Sequence, residues 1–249
     1  MIRGWYTAAS GMIAQMTRQL TNASNLANIS TPGYKQINVQ VEEFQSMLLS
    51  HFETQEVFNL GDVSTAVAMA PLEINPAQGA LRETGRTLDV AVAGPGFFVV
   101  DGPEGAEYTR NGVFNLEPGG RLVTADGFQV NGVGDVPIII PPEQIEEVWI
   151  TADGTIQTAD AVLGQLQLVE FAEPGQIESN GRNRYVTDQE ALPSADSGVH
   201  QGFLEMSNVD VNQTTVDLIA AQRAYEFAQQ MVQMQDQTLQ MTVRDLGRV

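Results

Sequence analysis

At 249 residues and 27.0 kDa the chain is long enough for one medium domain or two small ones with real cores. It holds 31 acids against 12 bases, a net charge of −19, and no cysteine. That balance argues against binding a phosphate backbone, and the missing thiols exclude disulfide frameworks, cysteine nucleophiles and cysteine-ligated metals. The longest apolar run, residues 90–100, is too short to cross a bilayer, so an integral membrane protein is not expected.

The charge is unevenly placed. Residues 1–41 hold no acid and three bases, Arg3, Arg18 and Lys35, the last being the only lysine. Residues 42–200 hold 25 acids and 6 bases, and residues 201–249 hold 6 acids and 3 bases. Nearly neutral ends around an acidic body suggest ends that pack on protein and a body that faces water.

Ile2, Tyr6, Ala9, Ile13, Met16, Leu20, Ala23 and Ala27 alternate spacings of four and three, the seam of a helix packed lengthwise on another helix. Ile29-Ser30-Thr31-Pro32-Gly33 ends it, because proline restricts its predecessor and glycine permits a turn. Residues 42–78 are ambiguous: Phe44, Met47 and Leu48 fit a continued helix, and Gly61-Asp62 reads as a turn. From about residue 79 short apolar runs alternate with turn dipeptides at Gly119-Gly120, Asp126-Gly127, Asn131-Gly132, Asp153-Gly154, Pro174-Gly175 and Asn180-Gly181. Residues 163–171 are the longest strand candidate.

The C-terminal segment carries two apolar series. One runs Leu218, Ala221, Tyr225, Ala228, Val232, Gln235, Leu239, Thr242, Leu246; the other runs Ala220, Ala224, Phe227, Met231, Met234, Thr238, Met241. A helix apolar on two sides is normally buried on two sides. One partner within the chain covers only one of them, so the second implies a neighbouring molecule. The fold expected is α+β: long N- and C-terminal helices paired as a coiled-coil-like domain, with a mainly antiparallel β domain inserted between them. Its boundaries would be 1–41 plus 206–249 for the helical assembly domain, 42–78 for a linker, and 79–205 for the β-rich outer domain.

Chemistry is scarce. The two histidines, His51 and His200, lie outside any helical or strand pattern. Gly94-Pro95-Gly96 lacks the third glycine of a dinucleotide fingerprint, and Glu143, Glu146 and Glu147 read as a solvated acidic loop. No catalytic, cofactor-binding or metal-binding residue is assigned, and no cofactor is expected.

Asn25-Leu26-Ala27-Asn28 followed by Thr31-Pro32-Gly33-Tyr34-Lys35 resembles the N-terminal signature of bacterial flagellar rod and hook proteins. The likeness continues at residues 84–98, at Tyr108-Thr109-Arg110-Asn111-Gly112, at residues 120–124 and 153–156, at Gly202 through Ser207-Asn208-Val209, and at Arg223-Ala224-Tyr225-Glu226. Gln213 departs from it, standing where that family often has a glutamate. The resemblance implies a structural, non-enzymatic subunit of a tubular axial assembly that transmits motor torque, with helices inside and the β domain outside. Its partners would be itself, other rod and axial proteins and the flagellar export apparatus. It also implies export without a cleaved signal peptide, to a rod lying within the periplasm. The opening residues 6–12 and the short interval between Lys35 and Gly61 look most like a proximal-rod protein, with the distal-rod paralogue second. A coiled-coil surface adhesin and a carbohydrate-acting envelope enzyme are the readings from other classes.

Overall fold

The computed structural model describes residues 2–53, 56–103, 105–159, 161–194 and 196–246, with the side chains of 2–4, 6, 41–71 and 245–246 left aside. The chain divides into two compact units. One comprises residues 1–26, 38–72 and 211–249; the other comprises residues 27–37 and 73–210.

In the first unit, helix α1 (Ile2–Ala27) is followed by two long paired strands, β1 (Ile37–Glu53) and β2 (Glu56–Ile74), and helix α2 (Val211–Leu246) completes it. The expected paired-helix, coiled-coil-like domain is overturned. Most elements are strands, and a β ribbon stands beside the two helices. The α1 seam does not face a partner: Ala9, Ile13, Met16, Leu20, Ala23 and Ala27 are exposed, whereas Ala14 and Asn25 are buried. Gln15, Arg18 and Asn22 of α1 line a cleft of about 410 Å³ with Asn38 and Val39 of β1 and Asp217, Ala220, Ala221 and Ala224 of α2. Polar side chains share that lining with Val39 and three small alanines, in place of interdigitated apolar knobs. A three-four periodicity identifies an apolar face but not what the face meets, and that ambiguity produced the wrong pairing.

Phe44, Met47 and Leu48 lie in β1, and Gly61-Asp62 lies within β2 and not at a turn. Alternation of Ile37, Val39 and Val41 with Asn38 and Gln40, and the β-branched Val63, Thr65 and Val67, suit strands better than helix.

The second unit is β-rich. Its main sheet has six strands in the order Glu178–Gly181, Arg184–Val186, Gly105–Thr109, Phe97–Gly102, Leu168–Glu170, Leu192–Pro193, with every neighbouring pair antiparallel. Val90–Ala93 pairs with Gly198–Gln201, and Leu81–Glu83 pairs with Phe203–Glu205. One core gathers Val90, Val92, Phe98, Phe114, Leu122, Ile140 and Ile156 on one side. A smaller one gathers Ile74, Phe97, Val99, Val169, Ile177 and Tyr185. Successive residues of Phe97–Val100 feed the two cores alternately, as the two-residue period of a strand requires.

Glycines 120, 127, 154 and 181 have positive φ at the expected turns. Asn131-Gly132 is instead a short strand, and the turn falls at Gly134-Asp135. The stretch 163–171 is broken: Val162–Gln165 and Leu168–Glu170 belong to different sheets, with buried Leu166 between them.

Candidate assembly surface and polar clamp

Along α2 the first series is the sheltered one. Ala221 is buried, Leu218, Tyr225, Ala228, Val232 and Leu239 are half-buried, and Thr214 extends the series one turn earlier. The second series is open: Phe227 is 65% exposed, Met241 62%, and Met231 and Met234 about half. On α1, Ile13, Met16 and Leu20 form a comparable exposed ridge. Ile2, Tyr6 and Leu246 fall outside the described side chains. Glutamines on the polar faces bond carboxylates one turn away: Gln213 Nε2 donates to Asp217 Oδ1, Gln222 to Glu226, and Gln240 to Asp236. Each such pair supports a helix by a few tenths of a kcal/mol, ~0.2–0.5. Gln213 thus acts as a bridge, and Arg223 is exposed.

The other concentration of polar groups is buried in the β-rich unit and built around the segment after α1. The lone lysine, Lys35, is 1% exposed. Its Nζ donates to Glu205 Oε1 at 2.7 Å and to the carbonyls of Ala77 at 2.8 Å and Pro76 at 3.4 Å. Glu205, equally buried, also accepts from Arg110 Nη1 at 3.3 Å and from the Gly79 amide at 2.8 Å. Arg110 Nη2 donates to the Gly94 carbonyl, and its guanidinium lies over the Phe97 ring. Two cations therefore share one carboxylate, with carbonyl dipoles and a ring face making up the balance.

Burial pulls the Lys35 ammonium below its ordinary value, against the opposing pull of Glu205, while Arg110 adds to the lowering. Arg110 is lowered by burial too, again with Glu205 opposing. Burial raises the Tyr185 phenol far above its ordinary value. The Lys35 amide donates to the Tyr185 hydroxyl, which donates to Asn183 Oδ1; Asn183 Nδ2 donates to the Pro32 carbonyl at 2.6 Å. Asn183 holds φ +63°, a left-handed conformation that asparagine tolerates better than most residues.

Gly33 is required twice over. Its φ is +70°, and a Cβ there would lie 2.4 Å from the Arg110 carbonyl carbon. Its amide donates to the Glu205 carbonyl at 2.7 Å. Tyr34 is buried, Thr31 bonds Asn28, and the Ser207 hydroxyl accepts from the Val209 amide. Asn208 Oδ1 accepts from the Gln36 amide at 2.7 Å, while its Nδ2 donates to the carbonyls of Asn75 and Ala77.

Motif residues 31–35 and 207–208, read separately from the sequence, thus meet in one place. Arg110, Asn183, Tyr185 and Glu205 were given no role by sequence reasoning. Arg110 lies inside the motif 108–112 and Glu205 inside the motif 202–209, and the one further signal is a single lysine in an acidic chain. His200 lies on the strand Gly198–Gln201 with its ring 6.2 Å from that of Phe203, while the His51 side chain is outside the described set. Among the described residues no three acidic or histidine side chains are grouped to hold a metal ion, and no helix is long and apolar enough to cross a membrane.

Three family models match in chain order. They are described as flagella basal body rod protein over residues 6–35, flagellar hook protein FlgE/F/G D1 domain over 91–158, and flagellar basal body rod FlgEFG protein C-terminal over 200–245. Flagellar basal-body rod protein FlgG of Buchnera aphidicola subsp. Acyrthosiphon pisum is 34% identical, covering 96% of this chain and 98% of that protein. The chain belongs to the flagellar basal-body rod protein family. FlgG of Bacillus subtilis is 31% identical over 96% of this chain and 97% of its own length. Flagellar basal-body rod protein FlgF of Caulobacter vibrioides is 32% identical over 96% and 97%. As a rod protein the chain is a structural component of the flagellar basal body. Each charged member of the clamp comes from a different matched segment: Lys35 closes the first, Arg110 lies in the second, and Glu205 lies near the start of the third.

Proposed function

We propose that this rod protein assembles with copies of itself and with other axial proteins into a torque-transmitting tube, through the exposed ridges of α1 and α2. The observation that carries the reading is the open series Phe227, Met231, Met234 and Met241 on a helix whose other apolar series is sheltered. Methionine suits such a face, since its flexible thioether adapts to neighbours that are not identical. Delivery through the flagellar export apparatus without a cleaved signal peptide, to a rod within the periplasm, belongs to the same reading.

For the place along the rod, two observations pull apart. Matches to relatives named FlgG extend over 258 to 269 positions, more than the 249 residues here, and so include stretches this chain lacks. Matches to relatives named FlgF extend over 247 and 244. That economy of length favours the proximal rod. The higher identities, to FlgG proteins, favour the distal rod at least as well.

The test of assembly uses the cysteine-free background. Met234→Cys combined with a second cysteine stepped along α1 from Met12 to Asn22, oxidised in assembled rods made from tagged and untagged subunits, should crosslink between chains and not within one. Absence of crosslinks between chains in assembled rods contradicts the reading. Basal bodies from cells lacking the chain separate the two places: a rod missing altogether indicates the proximal one, and a shortened stub the distal one.

A further inference from the structure

We infer that the cluster of Lys35, Glu205 and Asn208 is a mechanical clamp that ties together three of the backbone passes leaving the β-rich unit, so that load carried along them enters that unit at one hydrogen-bonded point. The chain crosses the boundary of this unit after residues 26, 37, 72 and 210. Three of those crossings lie within three residues of Asn208 or of the two residues whose backbone it bonds, Gln36 and Asn75. The three bond in a ring. Asn208 accepts from the Gln36 amide and donates to the Asn75 carbonyl, and the Asn75 amide donates to the Gln36 carbonyl at 2.8 Å.

The charged layer repeats the tie on the same passes. Lys35 bonds Ala77 and Glu205, and Glu205 returns to the Gly79 amide. Backbone bonds close it further, from Gly33 to Glu205 and from Met206 to Ala80. The passes lie so close that a Cβ on Gly79 would sit 1.9 Å from the Met206 carbonyl oxygen. Hydrogen bonds linked in this way reinforce one another and yield together, so the exits behave as one attachment. The load-bearing purpose rests on the rod reading. The clamp itself does not.

Amide hydrogen exchange on the full chain tests the clamp without any assembly. In Asn208→Leu the amides of Gln36 and Asn75 should exchange at least tenfold faster, while Phe98 and Val100 in the six-stranded sheet keep their protection. Unchanged exchange at Gln36 and Asn75 overturns the clamp, as does equal acceleration throughout the unit, which would mark Asn208 as a general stabiliser. If Asn208→Leu fails to fold, Asn208→Ser gives the same readout with one oxygen retained. In cells, the same variant should build rods and swim in dilute medium but lose most of its motility in viscous medium. Motility equal to wild type at high viscosity, with exchange at Gln36 and Asn75 accelerated, overturns the load-bearing part alone.

Discussion

Glu205→Gln removes one charge and almost no volume, leaving Lys35 and Arg110 facing an uncharged amide. Breaking a buried pair by removing one partner costs about 3–5 kcal/mol. Lys35 has an escape, because it can fold as the neutral amine. From its ordinary value of 10.5, discharging it at pH 7 costs about 1.36 kcal/mol per unit, about 5 kcal/mol in all. The cheaper route sets the loss, so about 3–5 kcal/mol is expected at pH 7. A base whose value is lowered by folding binds fewer protons folded than unfolded, so stability rises with pH up to the unfolded value. By pH 9 the neutral route costs only about 2 kcal/mol, and the deficit of the variant against wild type should shrink to that. Urea unfolding followed by Trp149 fluorescence, in a Trp5→Phe background so that only the β-rich unit reports, measures both numbers. A loss below about 1 kcal/mol at pH 7 would refute the buried ion pair as a structural element.

Gly33→Ala should cost about 2–4 kcal/mol, combining a left-handed backbone with a clash against Arg110; Gly127→Ala, at φ +85° in open space, should cost about 1 kcal/mol. Thermal melts of the two variants side by side check the difference, and equal losses would remove the clash from the account. Above pH 10.5, where Lys35 no longer contributes, the raised Tyr185 phenol keeps its proton while the unfolded chain releases it. Stability should therefore fall by up to about 1.36 kcal/mol per pH unit, and Tyr185→Phe should flatten that decline in a urea series. Leu239→Asp places a carboxylate on the half-buried face of α2, at a cost of at least about 2 kcal/mol, the low end for burying even an uncharged polar group, unless it protonates. Motility should be lost at normal export levels while the β-rich unit melts as in wild type, and motile cells would contradict this.

What could be read from the sequence was periodicity and punctuation. The two C-terminal series were visible because α2 keeps its spacing from Leu218 to Thr242, and the β turns were visible at Gly120, Gly127, Gly154 and Gly181, where a turn dipeptide carries the glycine of positive φ. The α1 seam was equally regular, yet its partner was not in the pattern: Ile13 and Leu20 face outward and Ala14 inward. Asn131-Gly132 misled because glycine there answers the nearby Gln165 carbonyl, 2.9 Å from a hypothetical Cβ, and not a turn. Motif strings located the clamp without revealing it. Lys35 and Glu205 are 170 residues apart, and no local rule connects residues at that distance.

Because the only lysine in the chain is sealed within the clamp, the folded protein offers no lysine amine to an acylating reagent. Esters and aldehydes that fix most proteins through lysine have no such handle here. Acylation of Lys35 accordingly becomes a clock for the opening of the protein. Each modified side chain records one occasion on which the ammonium left Glu205, lost its proton and met solvent. Modification locks that event in, since an amide at Nζ can no longer carry the charge that the carboxylate holds.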